Sequence, residues 1–464
     1  MISYTQLQKI IQTTAELPET YAQRQDLFDH ITEHLDTDLI KILVGMRRVG
    51  KTFMLKLLYK YLFETLNIPH ENIFFLSFES PLLFEYQDVV DLQQLYDIYI
   101  AHSNPKFKTY ILLDEIQNIN GWEKFVRTLY DNAKHKNQIY ITGSNSRLLS
   151  SEYSSALSGR SLNISVPIFS FKDVQQLIAG RNKHLSSNTD ELLENYLLWG
   201  GLPETWLQPQ DGFRLAYVDN LLDKILTDDI IMRFNIRYPT VLKELALYIF
   251  NNAGNHLNLS KISDFLRTAG YKLDSRTIYE YISNLQSAFL LSTLKNARFK
   301  QSGNRKTSHK SSKNLTLGKL MKFFASDNSF ITATYLDNID SARNKLLENL
   351  TFSLLSRENT YIHEHCPDLK GFQIYFTYDS ASGIDIDLLL EKPSMTAPTL
   401  IPVNIAYSIQ EQETLQREIK GLQKAMNYFN ADRALLFIWN DTLRKTEVPE
   451  NITVINVKDI LLTA

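Results

Sequence analysis

The segment Gly45-Met46-Arg47-Arg48-Val49-Gly50-Lys51-Thr52 constrains this chain more than any other feature. It fits G-x-x-x-x-G-K-[ST] and sits where such a loop has to sit, between an apolar run, Leu39 to Val44, and a helical pattern, Thr52 to Leu66. The glycines let backbone N–H groups turn inward onto phosphate oxygens, and the helix that follows adds its positive end. Lys51 is placed for the β and γ phosphates of a nucleoside triphosphate, taken here as ATP, and the Thr52 hydroxyl for Mg²⁺. Gly45, Arg47, Arg48, Val49, Gly50 and Phe53 complete the expected nucleotide-binding set; either arginine could touch phosphate or simply be solvated.

Two further strand ends carry polar groups. Tyr110 to Leu113 is an apolar strand that delivers Asp114 and Glu115 at its C-terminal end, the edge at which ligands of open α/β sheets collect. Asp114 is expected to hold Mg²⁺, directly or through water, and Glu115 to orient and polarise the attacking water. The strand Gln138 to Thr142 ends in Gly143-Ser144-Asn145-Ser146, where Asn145, with Ser144 as substitute, is the candidate sensor of the γ-phosphate; the competing reading is a polar turn. Arg160, after Gly159, could enter a neighbouring subunit's site as an arginine finger, which implies a homo-oligomer, or be a surface arginine in a salt bridge.

At 464 residues the chain exceeds what one core usually serves, so several domains are expected. Strand and helix signals alternate up to a polar stretch around Asn182 to Thr189, as in a parallel sheet covered by helices. From Asp190 to Leu294 the segment reads as mainly helical. Within it, Leu259 to Leu291 holds two short amphipathic helices joined by Ala269 to Asp274, the spacing of a helix-turn-helix or winged helix. Gln301 to Asn314 reads as a loop or wing, and Lys295 to Lys322 contains nine Lys or Arg and no acid. With the helix from Ser275 to Gln286 in a major groove, that basic stretch would lie along phosphates of double-stranded DNA. Equally, Tyr279 and Ile282 could face the core and the basic loop be only solvated. The last third alternates helix and strand again, with strands at Gly371 to Tyr378, Ile384 to Leu390, Leu400 to Ile405 and Ala434 to Trp439. The single cysteine, Cys366, allows no internal disulfide, and no apolar stretch approaches the ~20 residues that span a bilayer. A cytoplasmic location without a membrane partner is therefore expected.

The chain resembles prokaryotic AAA-type P-loop ATPases that carry a C-terminal domain similar to restriction endonucleases. The resemblance rests on Gly45 to Thr52, the LDEIQ run from Leu113 followed by Trp122-Glu123, Thr142 to Ser146, Ser158 to Arg160, Gly200-Gly201-Leu202-Pro203-Glu204, Ile384 to Leu388 and Arg417 to Ile419. It implies an α/β fold: a P-loop NTPase parallel sheet with helices on both faces, then a helical or winged-helix domain, then a small α/β nuclease-like domain. We set these at 1–183, 184–318 and 319–464. In the last domain Glu348 fits the helix acid and Asp387, beside Asp385, the strand acid, but Asn404 and Ala406 stand where a second metal carboxylate and a lysine would be needed. The expectation is an ATPase without nuclease activity, either DNA-associated or a nucleotide-controlled switch that binds proteins.

Overall fold

A computed structural model describes residues 2–19, 21–104, 106–131, 137–144, 157, 159–179, 188–299, 315–335, 338–356, 369, 371–394, 398–440 and 448–463. The chain divides into two compact units: Met1–Ile168 with Gln176–Arg181 and Ser287–Phe289, and Phe169–Gln175 with Asn182–Gln286 and Leu290–Ala464.

In the first unit five strands, β1 (Ile40–Val44), β2 (Ile73–Ser77), β3 (Thr109–Asp114), β4 (Asn137–Gly143) and β5 (Ser161–Ser165), form a sheet in the order β2-β3-β4-β1-β5, with every pair parallel. Parallel strands need crossovers that cover the sheet, so their residues are apolar on both faces. Accordingly every residue of β1 and β3 is buried. Because β4 lies between β1 and β3, the loop after β1 and the acids after β3 stand on either side of the end of β4, at the C-terminal edge where open α/β sheets bind their ligands. The helix Lys51–Lys60 packs on β2, β3 and β4, and the helix Trp122–Asp131 on β4. A further helix, Tyr4–Ala15, begins with a capping box in which Ser3 and Gln6 satisfy each other's backbone N–H groups.

In the second unit helices run from Thr189–Trp199 to Ser275–Ser287 and are followed by a seven-stranded sheet. Its strands are β6 (Leu291–Phe299), β7 (Leu315–Ala325), β8 (Gln373–Asp379), β9 (Ile384–Lys392), β10 (Thr399–Ser408), β11 (Ala434–Asn440) and β12 (Ile452–Asn456), ordered β12-β11-β10-β9-β8-β6-β7. Two expectations change here. Leu291 to Leu294 is strand rather than helix, paired residue by residue with Ala325 to Lys322; its two leucines stand three apart, a spacing that a helix also uses. And β7 runs through 318/319, so the hairpin β6–β7 joins the C-terminal sheet through the pairing of Asn296 with Phe376 rather than ending a separate domain. The expected loop Gln301 to Asn314 lies outside the described residues.

The Gly200-Gly201 pair belongs to the packing of this unit. The Gly201 N–H donates to Asp327 Oδ2 at 2.7 Å, the Gly201 carbonyl accepts from Phe169 N at 3.0 Å, and Trp206 Nε1 donates to the Gly200 carbonyl at 3.0 Å. A Cβ on Gly201 would lie 2.1 Å from the Phe169 carbonyl oxygen, a backbone atom that cannot move aside alone. Gly201→Ala should therefore lower unfolding stability by about 1–3 kcal/mol. Gly212→Ala, in a helix where nothing lies within 4 Å, should raise it by roughly 0.5–1 kcal/mol. Denaturant midpoints of the two variants check the contrast, and equal shifts would contradict it.

Candidate functional site

The loop after β1 turns because two positions admit nothing else. A Cβ on Gly45 would sit 2.3 Å from the Val166 carbonyl oxygen, and Gly50 takes φ 95° as it opens the helix Lys51–Lys60. Arg48 also takes a left-handed φ of 70°, so its exposed side chain is carried by a tightly turned backbone. Val49 is buried, Arg47 pairs loosely with Glu79 at 3.7 Å, and Phe53 lies against the Tyr21 ring with centroids 5.1 Å apart.

Lys51 is 4 % exposed, and its ammonium donates to the carbonyls of Gly45 and Met46, each at 3.0 Å, so the loop is wrapped around its own lysine. Its Nζ also lies 3.7 Å from Glu115 Oε1. The Thr52 hydroxyl lies 2.9 and 3.0 Å from the two Asp114 oxygens. Asp114 is fully buried and accepts two more hydroxyls, from Ser77 at 2.7 Å and Thr142 at 2.7 Å. Burial first, and then the Glu115 charge, push its carboxyl up to about 6, while the three hydroxyls hold it down. The register explains the convergence: Ser77 on β2 is the direct partner of Asp114 on β3.

Glu115 takes φ 49°, a region few side-chain-bearing residues occupy, and this turns it back over the sheet edge. Its backbone N–H donates to Thr142 Oγ1 at 2.9 Å, its Oε2 accepts from Ser144 N at 3.2 Å, and the Gln117 amide bonds to the same oxygen. The structure thus brings together Gly45, Gly50, Lys51, Thr52, Asp114 and Glu115. Asn145 lies outside the described residues. Its neighbour Ser144 enters the site through its backbone N–H.

Arg160 is not brought to the P-loop of its own chain. Its carbonyl accepts from Ile40 N at 2.8 Å, which places it at the N-terminal end of β1, opposite Gly45. Its side chain lies 3.6 Å from Asp131 Oδ1 and 5.9 Å from the centre of the Tyr130 ring. Four site residues escaped the reading of the sequence. Ser77, Thr142 and Gln117 were legible in principle, as polar residues closing apolar strands or following the acid pair. Arg24 had no local signal; it is buried, and its guanidinium donates to the carbonyls of Val49 at 2.9 Å, Pro167 at 2.9 Å and Ile168 at 3.3 Å, bracing the P-loop from outside.

The acids of the second unit have a different environment. Lys322 Nζ lies 2.8 Å from Glu348 Oε1 and 3.4 Å from Asp387 Oδ1, and Asp387 Oδ2 accepts from Ile405 N at 2.9 Å. Lys322 is 2 % exposed, so one of the nine cations counted in 295–322 points into the core. Burial disfavours its charge, yet Glu348 and Asp387 outweigh that and raise the ammonium to about 12. Burial pushes Glu348 up to about 7 even with Lys322 beside it. Asn404 donates to Glu418 Oε2 at 2.7 Å, and Ala406 is buried. Removing one member of a buried pair leaves the other uncompensated, so Lys322→Met should cost about 3–5 kcal/mol of stability. Adding Glu348→Gln should restore part of it. A loss below about 1 kcal/mol in the single variant, read from chemical denaturation, would contradict the pairing.

Comparison with known proteins adds the family. Residues 37–175 match the model of an AAA domain, and residues 190–317 match a domain of unknown function (DUF8612). An uncharacterized protein of Haemophilus influenzae is 34% identical over 290 residues, covering 62% of this chain and 70% of that one. An uncharacterized protein of Methanocaldococcus jannaschii is 26% identical over 412 residues, covering 87% and 82%. Among solved structures, a Walker-type ATPase of Pyrococcus abyssi aligns with 16% identity and TM-score 0.42 over 69% of this chain and 99% of that one. The ORC1 protein of Aeropyrum pernix, solved in complex with DNA, aligns with 12% identity and TM-score 0.34 over 70% and 95%. The wrapped loop, the acid pair and the strand order agree with the family match: the chain belongs to the family of the Haemophilus influenzae protein and carries a P-loop AAA domain over residues 37–175.

Proposed function

We propose that this chain binds ATP with Mg²⁺ at the end of β1 and β3 and hydrolyses it. The observation that carries the reading is the meeting of the Thr52 hydroxyl with Asp114 at 2.9 Å, beside the Lys51–Glu115 contact at 3.7 Å. The groups gathered there for a metal are oxygen donors, a hydroxyl and a carboxylate, as a hard cation requires. Thr52 and Asp114 would hold it, and the ion would supply positive charge against the phosphates. Lys51 exchanges the Gly45 and Met46 carbonyls for phosphate oxygens, while inward-facing loop N–H groups, braced by Arg24, line the triphosphate. Release of Lys51 frees Glu115 to accept a proton from the attacking water, with Gln117 and the Ser144 N–H fixing the carboxylate. Asn145 is assigned to the γ-phosphate. Arg160, at the far end of its own β1, can serve only in a neighbouring copy, so this role requires a homo-oligomer.

A DNA-associated role is favoured over a protein-binding switch by the helix Ser275–Ser287. Ile278, Tyr281, Ile282 and Leu285 are buried, whereas Tyr279 is 60% exposed and Arg276 lies on the open side, so one face is free for a partner. The hairpin β6–β7 follows in the order of a winged helix. In this reading 1–183 is the ATPase, 184–318 the helical and winged-helix part, whose strand β7 continues past 318 within the C-terminal sheet, and 319–464 a nuclease-like part that grips without cutting, since Asn404 and Ala406 supply neither carboxylate nor lysine.

Lys51→Ala should abolish MgATP binding, whereas Glu115→Gln should keep binding and lose roughly 10²–10⁴-fold in turnover. Full turnover in Glu115→Gln would displace Glu115 from its role. In the same assay duplex DNA should stimulate hydrolysis, less so as salt rises; no effect of any DNA form would favour the protein-binding alternative.

A further inference from the structure

Two histidines and a glutamate stand at the far end of the helix that Arg24 opens. His30 lies in the last turn of Gln25–Thr32, Glu33 is its C-cap with φ −58° and ψ −19°, and the turn continues through His34. Because the backbone stays helical across the cap, His30 and His34, four residues apart, share a face, with Glu33 three residues after His30. The rings meet edge to face with centroids 5.2 Å apart. His30 Nδ1 lies 2.5 Å and His34 Nε2 3.3 Å from the same oxygen, Glu33 Oε1. One ligand atom from each residue falls within 4.8 Å of the other two.

Chemistry narrows what such a group takes. Two imidazole nitrogens with one carboxylate suit a borderline transition metal, whereas Mg²⁺ and Ca²⁺ prefer oxygen sets. The C-terminal end of a helix carries partial negative charge and favours a cation. His34 Nε2 is shielded from solvent and makes no hydrogen bond among the described residues, which leaves the nitrogen's bonding capacity unused. We propose that His30, Glu33 and His34 form a binding site for a single Zn²⁺-class ion, separate from the P-loop. The ion would clamp the last turn of the helix whose first flanking residue, Arg24, holds the Val49 carbonyl of the P-loop.

The test is Zn²⁺ calorimetry and Co²⁺ visible absorption on the full, nucleotide-free chain, beside the double variant His30→Asn/His34→Asn and Glu33→Gln. The wild type should take one more ion than the double variant, with a Co²⁺ ligand-field spectrum that excess Mg²⁺ does not remove. Glu33→Gln should bind at least roughly 10-fold more weakly. Equal stoichiometry and equal spectra in wild type and double variant would overturn the proposal. A measurement without variants stands beside it: Zn²⁺ should protect His30 and His34 from diethyl pyrocarbonate, read by peptide mass, and unchanged modification of both would also overturn it.

Discussion

A single carboxylate, Asp114, is bonded by three hydroxyls that arrive from three different elements: Thr52 on the P-loop helix, Ser77 at the end of β2 and Thr142 at the end of β4. Burying that group without donors would cost several kcal/mol, so the sheet register and the position of the P-loop helix are tied to it. The strand order that puts β4 between β1 and β3 is what lets Thr142 reach both Asp114 and the backbone of Glu115. The left-handed turn at Glu115 then sets its carboxylate beside Lys51. Fold and candidate chemistry thus share one set of contacts.

How much of this was legible in the residues depends on whether the signal was local. The P-loop, β1, β3 and the acid pair were legible because a glycine pattern, an apolar run and two charges lie next to one another in the chain. Ser77 and Thr142 became part of the site through strand register, which one sequence does not display. Arg24 is more remote still: its three carbonyl partners lie 25 to 144 residues away. Arg160 was read from a short motif that says nothing of which end of the sheet it occupies.

The second unit shows the complementary difficulty. A count of cations over 295–322 suggested a solvated basic surface, yet Lys322 faces inward onto Glu348 and Asp387. The alternation along β7 puts successive side chains on opposite faces, so charge in a strand cannot be assigned to the surface by composition. The acids expected from the nuclease resemblance do meet, but around a lysine from a strand outside the resemblance's motif. The missed start of β6 has a local cause in the spacing of Leu291 and Leu294, three apart as on a helix face, and β12 is a short strand with one buried residue, Ile452, too little apolar pattern to announce itself.

The most direct measurement is calorimetric titration of ATP into the full chain with Mg²⁺ and again in excess chelator. If Lys51, Thr52 and Asp114 form a metal–nucleotide site, binding saturates at one nucleotide per chain and weakens by at least about 10-fold, or ~1.4 kcal/mol, without the metal. Folded protein that takes up no MgATP, or binds ATP equally with and without Mg²⁺, would contradict it.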